Sequence, residues 1–554
     1  MSTESVLVTE PKKKKTKAWV IGAAALLIVI AGGSVGYAKY DMFKSPKTVY
    51  LQSELTTFND LSKSINDSFK DYQEYMKPYL QSTVHNQSEI SGDIIPPDRM
   101  DSGTRQAMEL FKQSKLLLDS QTDQKNRKAF TKLDLNIGGN NLLEAQTYVD
   151  NDKIYIGFPD FYSKFALIDL SESKQIEQKY HINHVPSKLV RYDDLIQAID
   201  LNDKLTPIGI NYGKWFAEQL KDNQFSMKKG VDFSVGDGSI STKEITLTFK
   251  EDEFKSLLKG LNNKLANDDK MFELIYSKYE NLAKLAIDNG TPVEMKDKSS
   301  FKSDYQKSLS EANNNIDKIK LAEDVKMTLN IDGNHHIINR KINISAIDAA
   351  NEKSDLTMNF GSWDDHSKKH HMEISFKGND ARNTGGEFQV ATTSQKESSM
   401  LKGTFLMKAV NTRDNQTYGG VTITSDYSST DEKGNQKGDI KFSLKEFASG
   451  KEKEVATGNS HFELSKNDKE KSQNSDLSFD IKIGNVNPNT PKGFNIHIKS
   501  KDTFSDSFNS PTIDQNNSFD VATVTPQQER EIQMELQRSM QSFYLKNMNL
   551  LRGR

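Results

Sequence analysis

Residues Ala18 to Tyr37, AWVIGAAALLIVIAGGSVGY, form a run of 20 residues without a charged side chain. At about 1.5 Å of rise per residue, a helix of that length matches a hydrocarbon layer roughly 30 Å thick. The run therefore predicts one membrane-spanning helix over 18–38. Lys12, Lys13, Lys14, Lys15 and Lys17 precede it directly. Cytoplasmic flanks of spanning helices are enriched in lysine and arginine, so the expectation is a cytoplasmic tail, 1–17, and a single-pass protein of the cell membrane with its C-terminal bulk extracellular. Trp19 and Tyr37 stand at the two ends, where amphipathic rings favour the headgroup region. The rival reading is a cleaved signal peptide, whose apolar core spans about 7 to 15 residues before a small-x-small site. Gly36 to Ala38 makes a poor site of that kind. The five lysines and two aromatic rings are the expected membrane anchor, and the lipid bilayer is the first expected partner.

Beyond that run, composition narrows the function classes. With 74 basic and 77 acidic residues mixed along most of the chain, the formal net charge is −3, and no nucleic-acid partner follows from that balance. There is no cysteine, which excludes disulfides, thiolate metal sites, a cysteine nucleophile and a lipoprotein's lipid-bearing cysteine. Such a chain fits a bacterial envelope better than a eukaryotic secretory route. Mean hydropathy is low, −0.70, but 28 Phe and 18 Tyr supply the large apolar groups that a disordered chain lacks. At 554 residues the chain has room for two or three folded units.

Periodicity divides the remainder. Leu51, Leu55, Phe58, Leu61, Ile65, Phe69 and Tyr72 recur at steps of three and four, predicting an amphipathic helix that stops near Pro78. Ser82 to Asp101 reads as a loop and Arg105 to Leu118 as a shorter helix, giving a juxtamembrane helical region over 39–128. From about Ala129 the period becomes two, as at Leu133, Leu135 and Ile137, and helical stretches return after Tyr192. Residues 129–320 are read as a mixed α+β domain. Residues 321–524 alternate more uniformly, for instance at Leu477, Phe479, Ile481 and Ile483, and predict a long antiparallel meander with one wet face. Thr525 before Pro526 caps a C-terminal amphipathic helix, 525–554, expected to cover the meander through Ile532, Leu536, Met540 and Phe543. The predicted fold class is thus α+β: a transmembrane helix, a helical and mixed α/β region, then an antiparallel β-meander covered by helices.

The densest set of metal-ligating types is Asp364, Asp365, His366, His370 and His371 in WDDHSKKHHME. Zinc or copper takes such ligands, but the intervening Ser367-Lys368-Lys369 reads as a hairpin turn, and no metal is expected. His335, His336, His181 and His184 read as surface residues. The carboxylate pairs Asp193-Asp194 and Asp268-Asp269 are adjacent in sequence, which points the groups apart rather than across a substrate. No nucleophile elbow, phosphate-binding loop, zincin motif or dinucleotide fingerprint occurs, so neither catalysis nor a cofactor is expected.

The string Lys44-Ser45-Pro46-Lys47-Thr48-Val49-Tyr50-Leu51 resembles the K-S-P-K-x-x-Y element of uncharacterised single-pass envelope proteins of Bacillus-like Firmicutes. Val149 to Asp169, with YIGFPDFYSKFALID within it, is similar to a passage of lipoproteins with the LolA-like curved sheet. The second resemblance implies a curved sheet closed by helices around an apolar cavity suited to lipids. The lipoprotein cysteine is missing here and the expected helix replaces it, which leaves attachment intact but argues against a shuttle role, since a tethered domain cannot cross an envelope freely. Together these readings lead to an expected function: a non-catalytic, membrane-anchored extracytoplasmic protein that binds an apolar ligand, or senses or scaffolds at the cell envelope. The alternatives are an interaction protein docking onto an envelope partner, and an enzyme modifying cell wall or lipid.

Overall fold

A computed structural model describes residues 45–551 apart from 200–201, 236–237, 348–350, 366, 415, 433, 485–486 and 515. Two compact units interleave along the chain. The first takes in residues up to 65 together with 200–278 and 296–361; the second takes in 66–199, 279–295 and 362 onward.

The first unit is built on the antiparallel strands Phe225–Val235, Gly238–Phe249, Val325–Ile331, Ile337–Ile347 and Lys353–Asp364, hydrogen-bonded in that order. Ile245 pairs with Leu329, which pairs with Arg340; Leu247, Met327, Ile342 and Met358 form the adjacent row. Most of these apolar side chains are fully buried, and so are Tyr50, Phe216, Phe254, Leu258 and Leu261 from the helices of the unit. The helix Glu251–Asn267 shows why: Phe254, Leu257, Leu258 and Leu261 fall on one face at helical spacing. A second aromatic cluster, Phe272 against Phe301 and Tyr305 at 6.2 and 5.8 Å, joins the helices Asp269–Asp288 and Lys298–Asp317.

The second unit is a much wider sheet. From one edge it runs through Ser518–Asp520, Tyr162–Asp169, Lys153–Phe158, Asn140–Asp150, Lys128–Ile137, Ser114–Asp123 and Thr83–Ile95. It continues through Gly493–Ser505, Ser472–Ile483, Lys451–Asn467, Asn435–Ala448, Gln416–Glu432, Met400–Arg413, Thr384–Glu397 and His370–Asn379. Only Ser518–Asp520 pairs in parallel among these. Successive side chains point to opposite faces, and the register sorts them. Ile90, Ile498, Leu477 and Phe462 stand opposite one another, and so do Ile496 and Phe479 in the next row of that face. The other face carries Glu89, Lys499, Asp476, Glu463 and Lys437 in one register row. Gly438, Gly458 and Gly403 sit directly opposite Phe462, Phe442 and Tyr427. A Cβ at Gly438 or Gly458 would come within 2.7 or 2.6 Å of the facing ring, so each ring lies flat over the neighbouring glycine.

Several expectations are corrected at this point. The helix expected over 18–38, with Lys12, Lys13, Lys14, Lys15, Lys17, Trp19 and Tyr37, lies outside the described residues. Among the described residues no helix is long and apolar enough to cross a membrane. The longest, Pro46–Gln81, spans 36 residues but carries charges on every few turns, such as Glu54, Asp60, Lys63, Asp67 and Lys70. The single-pass topology, the cell-membrane location with an extracellular bulk, and the bilayer as partner rested on that helix and are withdrawn. The fold class is corrected as well: a large antiparallel sheet dominates, and helices decorate it. The C-terminal helix Pro526–Leu551 does not blanket the meander. It meets the segment before Tyr162–Asp169, with the Phe543 ring 5.0 Å from Phe161, while Met540, Tyr544 and Leu545 remain exposed. Ser82 to Asp101 is no loop but contains the strand Thr83–Ile95, and the expected helix through Leu118 ends at Lys112. Leu116 and Leu118 belong to the strand Ser114–Asp123. Pro78 lies inside the helix, whose last turn runs on to Gln81.

Candidate functional site

A recess of about 1500 Å³ lies in the second unit. Six adjacent strands, from Ser114–Asp123 through Thr83–Ile95 to Asn435–Ala448, supply most of its lining. Leu117, Leu118 and Leu464 are its only apolar lining residues; the others are charged, amide or hydroxyl side chains. Carboxylates number seven, among them Glu89, Glu463 and Asp476, against the three ammonium groups of Lys437, Lys499 and Lys501. Lys115 reaches Glu89 at 2.8 Å and Lys132 reaches Asp134 at 3.3 Å. Two carboxylates of the surplus of four are offset in this way, and a net negative lining remains.

Register builds the site. Glu89 stands opposite Lys499, Lys499 opposite Asp476, Asp476 opposite Glu463, and Glu463 opposite Lys437. Cross-strand neighbours of this kind lie about 5 Å apart at Cβ, so the row presents alternating groups at close and regular spacing. Histidines buttress it from the side: His497 Nε2 lies 2.6 Å from Asp476 and His85 Nε2 lies 2.7 Å from Asp119. His461 sits between Asp439, at 2.9 Å, and Glu463, at 3.4 Å. The hydrogen bond to Asp439 raises the His461 pKa against the opposing effect of burial, and the hydrogen bond to Glu463 and the charges of the two carboxylates add to the rise. On the opposite face, two residues along from Ile90 and Ile498, Ser88 and Ser500 share a hydroxyl contact of 2.7 Å.

The sequence-derived metal candidates are held elsewhere in the same unit, and His366 lies outside the described residues. His370 Nδ1 pairs with Asp364 at 2.9 Å and His371 Nε2 with Asp365 at 2.9 Å. Each aspartate thus takes its own histidine. His371 also meets Thr393 Oγ1 through Nδ1 at 3.2 Å, and Trp363 stacks on its ring at 5.5 Å. Asp365 closes the hairpin turn, accepting from the Ser367 and Lys369 amides at 2.8 and 3.0 Å. Among the described residues no group of three or more His, Asp or Glu is placed to hold a metal ion. His336 pairs with Asp332 and Asp60, Asp194 accepts from the Arg191 amide, Asp268 caps a helix through the Met271 amide, and Asp269 pairs with Lys302. His181 and His184 adopt positive φ in a connecting segment.

Asp365 yields a direct pH test. Hydrogen bonds from His371, Ser367 and the Lys369 amide hold its carboxyl well below the usual range. A depressed folded value contributes stability that is present above the unfolded value, near pH 4, and is lost as pH falls through the folded one. The Asp365 carboxyl carbon should therefore remain ionised in an NMR titration to below pH 3, roughly one unit past an ordinary aspartate. A midpoint near 4 would remove the turn-closing role.

No family model matches the chain, and no curated protein matches it. Solved structures that are similar include OpdQ of Pseudomonas aeruginosa, at 6% identity and a TM-score of 0.25 over 76% of this chain and 96% of that one. OmpT, an outer membrane protein of Vibrio cholerae, follows at 7% identity and 0.20 over 76% and 98%. OccK5 (OpdH) of P. aeruginosa is similar at 4% identity and 0.23 over 76% and 98%. At identities and TM-scores this low, the likeness assigns neither fold nor activity. The resemblance to Firmicutes single-pass envelope proteins and to LolA-like lipoproteins is nonetheless corrected: no family model and no curated protein of either group matches, and the similar solved structures named here belong to neither. The expected apolar ligand is corrected too, since the recess is open and lined by charge. The anchored sensor or scaffold and its docking onto an envelope partner shared the withdrawn topology and go with it.

The recess residues were not singled out from the sequence. Their only local signal is a charged residue at alternate positions of strands such as Ser472–Ile483, and that pattern marks any wet face. The register that gathers Glu89, Asp476 and Lys499 joins positions several hundred residues apart.

Proposed function

We propose that the second unit binds, without catalysis, a hydrophilic ligand carrying positive charge, such as a polyamine or a basic peptide segment. The observation that supports this reading is the recess of about 1500 Å³ with its surplus of carboxylates. Amides and hydroxyls such as Gln87, Asn474, Ser465 and Asn435 add donors and acceptors beside the charges. No aromatic ring lines the recess, so it lacks the stacking platform that a ring-shaped or base-like ligand would use. Exposed charges act here through water. At an effective dielectric between bulk and interior values, each contact is worth on the order of 1 kcal/mol and weakens with salt.

Calorimetric titration of the full chain with spermine and with an oligolysine peptide tests this reading. Binding should occur at low ionic strength and weaken about tenfold or more at 0.3 M salt, where screening extends to about 6 Å. Glu463→Lys with Asp476→Lys reverses two charges of the row and should abolish the heat. Absence of binding at low salt, or equal binding of a polyanion such as heparin, would reject the proposal.

A further inference from the structure

Sheet register sets three histidines around the charged row of the recess. Asp439 stands opposite His461, His461 opposite Ser478, Ser478 opposite His497 and His497 opposite Ser91, one row to one side of it. His85, opposite Thr503 and Gln121, lies two rows to the other side. His461 is two residues from Glu463, His497 two from Lys499 and His85 four from Glu89, so strand alternation turns all three rings to the recess face. Each ring is partly exposed, and protons reach it without unfolding.

Each ring also touches a carboxylate of the recess lining: His497 meets Asp476, His85 meets Asp119 and His461 meets Glu463. His461 contacts carboxylates through both nitrogens, Nδ1 to Asp439 and Nε2 to Glu463. A neutral imidazole has one N–H and an ionised carboxylate only accepts, so the two contacts together call for the charged ring. The same face surrounds the rings with more acidic than basic groups. Around His461 they are Asp439, Glu463, Asp476 and Asp480 against Lys437 and Lys441. Around His497 they are Asp476, Asp480, Glu89 and Asp93 against Lys499. Around His85 they are Asp119 and Asp123 against Lys501.

Histidine changes charge between about pH 5 and 8, whereas lysine ammonium groups and carboxylates keep theirs over most of that range. Three imidazolium charges match the two carboxylates left in surplus together with Asp439. We propose that protonation of His85, His461 and His497 switches off cation binding in the recess, so that protons and a cationic ligand compete for Asp119, Glu463 and Asp476. This inference rests on the cation-binding reading of the same recess. Linkage makes the competition reciprocal: bound ligand expels protons from the three rings.

Calorimetric titration of the full chain with acetylated, amidated pentalysine, at low ionic strength, tests the switch, because every charge of that peptide persists from pH 8 to 5.5. Affinity should be roughly tenfold or more weaker at pH 5.5 than at pH 8. At an intermediate pH, the heats in two buffers of different ionisation enthalpy should show protons released on binding. His85→Gln, His461→Gln and His497→Gln together should bring the two affinities within about twofold of each other. Equal affinity at both pH values, without proton release, would overturn the switch and leave the cation reading standing. Absence of binding at pH 8 would reject both. Weakening at pH 5.5 that persists in the triple variant would overturn the role of the histidines. If that variant does not fold, an NMR titration of the wild-type imidazoles decides: pentalysine should move their midpoints to lower pH, and unmoved midpoints would overturn the proposal.

Discussion

Arg340→Met should destabilise the first unit by about 3–5 kcal/mol, and Arg340→Met combined with Glu54→Leu should recover most of that loss. Arg340 occupies a position that its neighbours fill with Leu329 and Phe360, in the middle of an apolar face. Removing the guanidinium alone leaves the Glu54 carboxylate at 3% exposure with its cation gone. Such a charge has no route to water without moving the helix that carries it. Replacing both partners removes the uncompensated charge and leaves apolar groups of similar volume, which restores packing against Val49 and Tyr50. Urea unfolding of the two single variants and the double variant closes a mutant cycle, with unchanged slopes showing that the folded state is the same. Equal losses in the single and double variants would mean that the pair is a packing element and that its charge is incidental.

Arg340 also shows where the sequence runs out. In HHIINRKINIS Arg340 alternates with Ile338, Ile342 and Ile344 and so falls on the apolar face of its strand, but nothing nearby supplies the carboxylate that a charge buried there needs. Its partner lies 286 positions away. By contrast, the alternation at Leu477, Phe479, Ile481 and Ile483 is local and reads directly as the strand Ser472–Ile483. Thr83–Ile95 lacks that alternation. Its segment TVHNQSEISGDII becomes a strand because Ser114–Asp123 and Gly493–Ser505 pair with it on both sides, and that pairing is non-local. Arg105 to Leu118 fails as one helix for the same reason. The amphipathic spacing is real through Lys112, but Leu116 and Leu118 gain more by facing Leu135 and Leu133 across a ladder than by extending a helix. The recess is the extreme case, since its charge row exists only once the register is set.

Gly403→Val should cost the second unit roughly 3 kcal/mol or more, at the upper end of the range for overpacking. The strand position is ordinary in backbone terms, so the penalty comes from space. A Cβ there would collide with the backbone oxygen of Thr393 and come within 2.5 Å of Tyr427 Oη. The Tyr427 ring could swing away, but the Thr393 carbonyl belongs to the ladder that joins Thr384–Glu397 to Met400–Arg413 and cannot retreat without breaking it. Gly403→Val with Tyr427→Ala should therefore stay destabilised, whereas Gly333→Ala, where a Cβ meets nothing within 4 Å, should be close to neutral. Thermal unfolding by circular dichroism distinguishes the outcomes, and full recovery in the double variant would place the whole obstruction in the ring. The same change reaches the recess. Gly403 pairs with Tyr427, three residues along the strand from Thr430, and Thr430 with Asp431 lines the recess wall. A ladder displaced at Gly403 shifts that wall, so spermine binding by Gly403→Val should weaken even at temperatures where the chain remains folded.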